Sequence, residues 1–221
     1  MIGLDRTLFT QESGDSRLRH LEYAKYLKSL HIIVYSSRQH KLSNNQEKNL
    51  FLYPTNSRTR AHFFTDAISV GAQIIKDNKI NLIITQDPFL TGLAGYYLAR
   101  KFKIPLELHF HGDFLDNPYF LKEHPILHRG FLKIAEKLIH RADGIRVVSS
   151  GIADKLIKHG IAKEKIWVIP TPVDLKKFQP VIDARRALRL RSQQQIVLFV
   201  GRLVPDKIFP FSFMLLINYL K

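Results

Sequence analysis

Short runs of β-branched and other apolar residues alternate along this chain with longer segments of helical period. This pattern is typical of βαβ units, in which helices connect the strands of a mostly parallel sheet. We predict strands at residues 1–4, 32–35, 49–53, 81–85, 106–110, 145–148, 166–169 and 196–200. The chain is therefore predicted to be an α/β protein.

Helix signals fill most of the gaps between these strands. Residues 60–76 place their apolar side chains on one stripe, as in a helix packed on a sheet. Asp87 and Ser150 are predicted to cap the N-termini of two later helices, and Gly160 to end the second of them. The polar segment 36–48 is predicted to be a loop.

Composition limits the chemistry more than it selects a function. With 34 Lys and Arg against 19 Asp and Glu, the formal charge is +15, which favours partners that are nucleic acids, anionic lipid surfaces or phosphate-bearing substrates. The absence of cysteine excludes disulfides, thiolate metal sites and cysteine nucleophiles, and no leader segment opens the chain. We therefore expect a cytoplasmic protein.

Gly14 is the first candidate for a binding site. It lies between the first predicted strand and a helix predicted to begin near Asp15. Ligands of open α/β sheets collect at the carboxyl ends of the strands, where a glycine lets backbone N–H groups approach a phosphate. A plain turn glycine explains the position equally well, and no dinucleotide or P-loop motif occurs in the chain.

The segment 106–113 is the densest polar cluster on any predicted strand. If the strand continued to its end, Glu107, His109, His111 and Asp113 would share one face, and two histidines with carboxylates could bind a metal. The favoured interpretation is that Glu107 and His109 are buried and satisfied by neighbours. His111, at the strand's carboxyl end, would then open onto the cleft, where it could hydrogen-bond a ligand or exchange a proton.

Arg202 and Lys207 follow the last predicted strand closely enough to reach one ligand. Two fixed cations suit a diphosphate, because they neutralise the charge that builds on it when it leaves. Two solvated charges at a strand end would look the same in the sequence.

Three blocks together resemble the retaining glycosyltransferases of family 4, which have the two-lobed GT-B fold. They are His111-Gly112-Asp113-Phe114, the stretch from Val148-Ser149-Ser150 to residues 169–180, and residues 199–207. The resemblance implies a Rossmann-like N-terminal lobe with helices on both faces of its sheet at 1–178, a connector at 179–195, and the start of a donor-binding lobe at 196–221. Little of the second lobe follows, so the resemblance leads us to expect a truncated product that is inactive alone.

The resemblance also implies a function and a site. A hexose-type sugar would pass from a nucleotide-sugar substrate to a saccharide or lipid-linked acceptor, with retention and without cofactor or metal. Arg202, Lys207 and Gly14 would bind the donor diphosphate, and His111 would contact the transferred sugar as the catalytic residue.

Two other functions remain open from the sequence. One is a basic binding module for nucleic acid or an anionic membrane surface, although no nucleic-acid recognition motif appears. Cations on the first long helix could supply peripheral membrane contact at the inner face of the membrane if they shared one side of that helix. The other is a sugar-nucleotide epimerase of the same two-lobed fold.

Overall fold

The computed structural model describes residues 1–10, 14–173, 175 and 184–189. Its strands are β1 (Ile2–Gly3), β2 (Leu30–Val34), β3 (Asn45–Glu47), β4 (Leu50–Pro54), β5 (Ile83–Thr85), β6 (Leu106–Phe110), β7 (Gly144–Val147) and β8 (Ile166–Val168). The helices are α1 (Thr7–Thr10), α2 (Asp15–Ala24), α3 (Phe63–Asp77), α4 (Leu90–Phe102), α5 (Pro118–Glu123), α6 (Pro125–Ile139), α7 (Ser150–Lys158) and α8 (Ala184–Ala187).

The described strands form one sheet in the order β3-β4-β2-β1-β5-β6-β7-β8. Every neighbouring pair is parallel except β3 with β4. The chain runs from β1 outward to β4, then returns across the sheet to β5 and continues to β8 on the other side. The order therefore reverses between β1 and β5, which makes this point the topological switch of the sheet.

Strand β2 shows why helices must cover both faces of the sheet. Its Leu30, Ile32 and Val34 pack in one apolar cluster with Leu8 and Ala24, which belong to α1 and α2. The intervening residue Ile33 packs instead in the larger cluster formed with α3, α4 and α6. Because successive strand residues point to opposite faces, a strand whose five residues are all buried requires cover on both sides. The predicted α/β fold with helices on both faces is confirmed.

The strand predictions that fall on described residues hold within two residues at each end, and β6 has the predicted bounds. Several short elements were missed, among them β3 and α1. Strand β3 lies inside the polar segment predicted as a loop, and α1 precedes the helix predicted near Asp15. β3 carries no apolar alternation because it is an exposed edge strand that exists through its pairing with β4. The strand predicted at 196–200 lies outside the described residues.

Two predicted N-caps are wrong, one by two residues and the other by one. Helix α4 begins at Leu90 rather than behind Asp87, whose Oδ1 instead accepts a hydrogen bond of 2.8 Å from the Phe89 N–H in the preceding turn. Ser149, not Ser150, caps α7 by accepting from Ile152 N. The predicted stop at Gly160 is confirmed, since this residue has a φ of +82° in the left-handed region.

Residues Met1–Thr171 form one compact unit, and the chain from Pro172 belongs to a second unit. The structure describes only 172–173, 175 and 184–189 of the second part. The predicted division at 1–178, 179–195 and 196–221 therefore stays a prediction.

Candidate functional site

A cavity of about 260 Å³ opens at the carboxyl edge of the sheet, at the switch point between β1 and β5. Asp5 follows β1, and Gln86 and Asp87 follow β5. The opposite wall is the first half of α2, with Arg19 and His20. Ligands of open α/β sheets bind at this position because adjacent crossovers leave on opposite faces and open a crevice between them. We call it the carboxyl-edge cavity.

Asp5 ties the end of β1 to the start of α2. Its Oδ1 accepts hydrogen bonds from the Thr7 N–H and hydroxyl at 3.0 and 2.6 Å, and its Oδ2 accepts from the Ser16 hydroxyl at 2.5 Å. Burial raises the pKa of Asp5, but the hydrogen bonds from Ser16 and Thr7 outweigh this effect and hold the pKa below its ordinary value. An ionised Asp5 therefore fixes the α2 N-terminus against the cavity.

Gly14 is the N-cap residue of α2. Its backbone is extended, with a φ of −69°, so the position does not require glycine for its conformation. The helix that follows carries Ser16, Arg19 and His20 to the carboxyl-edge cavity. The structure thus puts Gly14 at the edge of the sheet where the sequence predicts it, while its predicted contact with a diphosphate stays a prediction.

Asp87 is a lining residue that sequence reasoning treated only as a helix cap. Burial raises the pKa of its carboxyl above the ordinary value, although hydrogen bonds from Phe89 N–H and Thr91 act in the opposite direction. The sequence did contain a signal for this role. Asp87 follows closely after the predicted strand 81–85, and residues at the carboxyl ends of parallel strands collect at the ligand site.

His111 is the first residue after β6 and is exposed at the same edge of the sheet. Although part of the side chain is open to solvent, the protein atoms around the ring desolvate it and lower its pKa to about 4, and charges on His109, Arg146, Arg19 and His20 act in the same direction. The imidazole is therefore neutral at pH 7 and can both donate and accept a hydrogen bond. The permanent cations Arg146 and Arg19 make this part of the edge attractive to an anion.

The loop after His111 is held by packing beneath it and by helix α7. A Cβ on Gly112 would lie 2.9 Å from Phe114 Cζ, so the ring packs directly against the glycine. Lys155 donates hydrogen bonds to both carboxylate oxygens of Asp113 at 2.9 and 2.8 Å and to the Leu115 carbonyl at 2.9 Å. β6 ends at Phe110, as predicted, so the condition under which Asp113 would share a strand face with His111 is not met, and Asp113 turns to α7.

Glu107 and His109 form a pair, with 2.6 Å between Glu107 Oε1 and His109 Nε2. His109 is buried, and no described residue hydrogen-bonds its Nδ1. The prediction that neighbours satisfy both side chains therefore holds for one of the two ring nitrogens. Within the described ranges, no group of three or more His, Asp or Glu side chains is placed to hold a metal ion.

Arg202 and Lys207 lie outside the described residues, so their predicted role is untested. The cations that the structure does bring to the edge near His111 are Arg19 on α2 and Arg146 on β7. From the sequence, Arg19 was considered only as a membrane-contact cation of the first long helix, and Arg146 was not singled out. Arg146 is the register partner of His109 on the neighbouring strand, a relation that only the strand order reveals.

The cations of α2 and the turn after it point in different directions. Arg17 is buried and bonded to Glu47, Arg19 lines the carboxyl-edge cavity, and Lys25 pairs with Glu22. Lys28 lines a cavity at the opposite edge of the sheet. They do not form the single face that the membrane-contact prediction required of this helix. In the part of the chain that the structure describes, no helix is both long and apolar enough to cross a bilayer.

A comparison with protein families finds a match between residues 19–177 and the family described as Glycosyltransferase Family 4. The matched range contains His111 but not Gly14, Arg202 or Lys207. Alpha-monoglucosyldiacylglycerol synthase of Streptococcus pneumoniae is 30% identical over 127 residues, which are 57% of this chain and 29% of that protein.

Two solved structures show the same fold at low identity. Sucrose-phosphate synthase from Thermosynechococcus elongatus is 16% identical, with 91% of this chain and 55% of that chain covered and a TM-score of 0.65. Anabaena HepE in complex with UDP-glucose is 16% identical, with 85% and 49% covered and a TM-score of 0.53. The chain thus spans about half the length of these solved structures.

Proposed function

The chain belongs to glycosyltransferase family 4, and from this premise we propose that its described lobe is the acceptor-side lobe of a retaining enzyme that transfers a hexose-type sugar from a nucleotide-sugar donor. The observation that carries the proposal is the neutral His111 among cations at the sheet edge that also bears the carboxyl-edge cavity. A neutral imidazole suits a sugar hydroxyl, and the cations suit a diphosphate.

The proposed chemistry depends on charge and position. Breaking the bond between the anomeric carbon and the diphosphate oxygen leaves negative charge on the diphosphate. Arg19 and the first turn of α2 behind Gly14 lie at the edge where that charge would develop, and fixed cations there lower the barrier without reorganising. Arg202 and Lys207 are proposed to complete the diphosphate site, and His111 to hold the sugar in its reactive orientation.

The acceptor is proposed to be a saccharide or a lipid-linked molecule. The name of the Streptococcus pneumoniae relative describes the synthesis of a glycolipid, which supports the lipid-linked choice. Such an acceptor would require peripheral contact with the inner face of the membrane from the cytoplasm. That contact would have to use cations other than those of α2, since these scatter over the lobe.

Titration of the histidine rings by NMR, with and without UDP-glucose, tests the site. We expect a pKa of about 4 for His111 in the free chain and a higher pKa with UDP-glucose bound, because the diphosphate offsets the surrounding positive charge. The NMR signal of His111 is identified as the histidine signal that is missing in His111→Gln. An unchanged His111 titration at saturating UDP-glucose would contradict the proposed site.

Two variants of equal charge make the binding test specific. Arg19→Gln removes a cation that lines the carboxyl-edge cavity, and should weaken UDP-glucose binding by roughly tenfold, the usual scale of one charge-assisted hydrogen bond. Arg129→Gln removes an exposed cation on α6 and should leave binding unchanged. Affinity is measured by calorimetry. Equal losses of UDP-glucose affinity in the two variants would show that binding depends only on the net charge of the chain and not on Arg19.

A transfer assay separates the proposal from the epimerase alternative. Sugar-nucleotide epimerases share the two-lobed fold, so the fold alone does not distinguish the two reactions. The match to a glycosyltransferase family favours sugar transfer. Labelled UDP-glucose and UDP-N-acetylglucosamine are incubated with vesicles that contain diacylglycerol, and the nucleotide sugars are analysed for epimers. Label in the lipid supports transfer, and an epimer without transfer supports the alternative. The expectation that the 221-residue chain does not turn over alone stays a prediction that the same assay tests.

A further inference from the structure

A second cavity lies at the opposite edge of the sheet, where α4 and α6 end and β6 and β7 begin. Its volume is about 400 Å³. The residues that line it include Tyr96, Arg100, Lys103 and Arg141, which together we call the amino-edge pocket. The strands separate this pocket from His111, because His111 follows the carboxyl end of β6 while the pocket lies at its amino end.

One aromatic ring organises two of the three cations. The guanidinium carbons of Arg100 and Arg141 lie 5.9 and 5.7 Å from the centroid of the Tyr96 ring. Cation–π contacts at these distances hold the planar guanidinium groups beside the cavity. Arg100 lies in the last turn of α4, where the partial negative charge at the C-terminal end of the helix favours a cation. It does not explain why cations from two separate segments converge on one ring.

The pocket is positive after its opposing charges are considered. Asp143 is the carboxylate among its lining residues, and its Oδ2 accepts a hydrogen bond of 2.9 Å from the Leu106 N–H. The ends of α4 and α6 add about half a negative charge each. Three cations exceed these charges. None of the ion pairs among the described residues involves Arg100, Lys103 or Arg141, so an anion would not have to displace a carboxylate.

We propose that the amino-edge pocket binds a phosphate group, carried either by a small soluble molecule or by a phospholipid headgroup. Guanidinium groups present their N–H donors in a planar fork that matches two phosphate oxygens, and Lys103 adds a third cation to the rim. This site is independent of the proposed transfer reaction, since it shares no residue with the carboxyl-edge cavity.

Binding to the full 221-residue chain tests the proposal with two probes. Inorganic phosphate is titrated by calorimetry, and vesicles of phosphatidylcholine with and without phosphatidic acid are tested by co-sedimentation at fixed ionic strength. Each probe is applied to the wild type, Arg100→Gln, Arg141→Gln and the matched control Arg129→Gln, which removes an exposed charge on α6. Arg19→Gln reports on binding at the carboxyl-edge cavity. Thermal melting without ligand establishes that each variant is folded.

We expect Arg100→Gln and Arg141→Gln each to weaken phosphate binding by roughly tenfold, while the control Arg129→Gln binds as the wild type does. The same difference seen only with phosphatidic acid vesicles would support the pocket and identify a lipid headgroup as the source. Equal losses in the pocket variants and Arg129→Gln would overturn the proposal. So would a loss confined to Arg19→Gln, or no binding of either probe.

Discussion

At the scale of single residues, His111 shows how position alters chemistry without any change of side chain. An ordinary histidine is partly protonated near neutral pH, whereas this ring has a pKa of about 4 because it is desolvated and lies near His109, Arg146, Arg19 and His20. The residue is thereby kept as a neutral hydrogen-bonding group. If an anion binds among these cations, the cost of protonating His111 falls.

The low pKa of His111 predicts a pH dependence of stability. Between pH 6.5 and about 4 the unfolded chain binds a proton at this position before the folded chain does, so folding stability is lost as the pH falls through that range. His111→Gln should lose less stability than the wild type between pH 7 and pH 5, as measured by urea unfolding. A variant that tracks the wild type at every pH would show that the folded-state pKa is not lowered.

Gly112 is predicted to be required for its lack of a side chain. In Gly112→Ala the new Cβ would meet the Phe114 ring, which packs against Phe89, Phe110 and Phe120 and has little freedom to move. We expect the free energy of unfolding to fall by about 1–3 kcal/mol, as for other overpacked sites.

Gly130→Ala provides the matched control for Gly112→Ala. Gly130 lies inside α6, and no atom lies within 4 Å of the place that an alanine Cβ would take, so alanine should stabilise the helix by about 1 kcal/mol. Urea unfolding of both variants measures the difference. Shifts of the two midpoints in the same direction would contradict the packing argument.

At the scale of elements, the switch-point architecture depends on a few contacts that place α2. Arg17 is buried beneath this helix and donates hydrogen bonds to the Leu8 carbonyl at 2.7 Å, Asn45 Oδ1 at 2.9 Å and Glu47 Oε2 at 2.9 Å. One side chain thus connects α1, α2 and β3. This connection gives the polar strand β3 a structural role that its own residues do not suggest.

Arg17→Met should therefore destabilise the fold far more than a change to an exposed cation nearby. We expect a loss of about 2–4 kcal/mol in the free energy of unfolding, because the Leu8 carbonyl and the Glu47 carboxylate lose a buried donor. Lys25→Met breaks a pair in which both side chains are more than half exposed, and should change stability by less than about 0.5 kcal/mol. Chemical denaturation compares them, and similar losses would show that Arg17 is not structurally special.

At the scale of the whole molecule, the +15 charge is a general property that no single site explains. Some cations are buried in ion pairs, some line the carboxyl-edge cavity, and others surround the amino-edge pocket at the opposite end of the strands. Such a distribution favours weak association with polyanions from several directions.

We therefore expect the chain to bind DNA without sequence preference and with a steep dependence on salt. Fluorescence anisotropy with two unrelated duplexes and one hairpin should give equal affinities that fall together as the salt concentration rises, because binding then depends on counterion release. A preference for one sequence or shape that persists at high salt would favour the nucleic-acid module over the glycosyltransferase.

The sequence by itself determined the class of fold and the order of most elements. Apolar residues at 32–34 and at every second position of 106–110 indicate strands of a covered sheet, and the helical period of 60–76 indicates a helix packed on one side, so local patterns were sufficient. Three sequence blocks together, of which the one at residues 111–114 is the first, likewise led to the family without any knowledge of their surroundings.

Only the tertiary structure decided which residues meet. Arg19, Asp87, His111 and Arg146 come from four separate segments, and they collect at one edge because the sheet order reverses between β1 and β5. The pairing of Asp113 with Lys155 and the approach of Arg141 to Tyr96 have the same origin. Each is a contact between residues distant in the chain, and periodicity in the sequence carries no information about such distances.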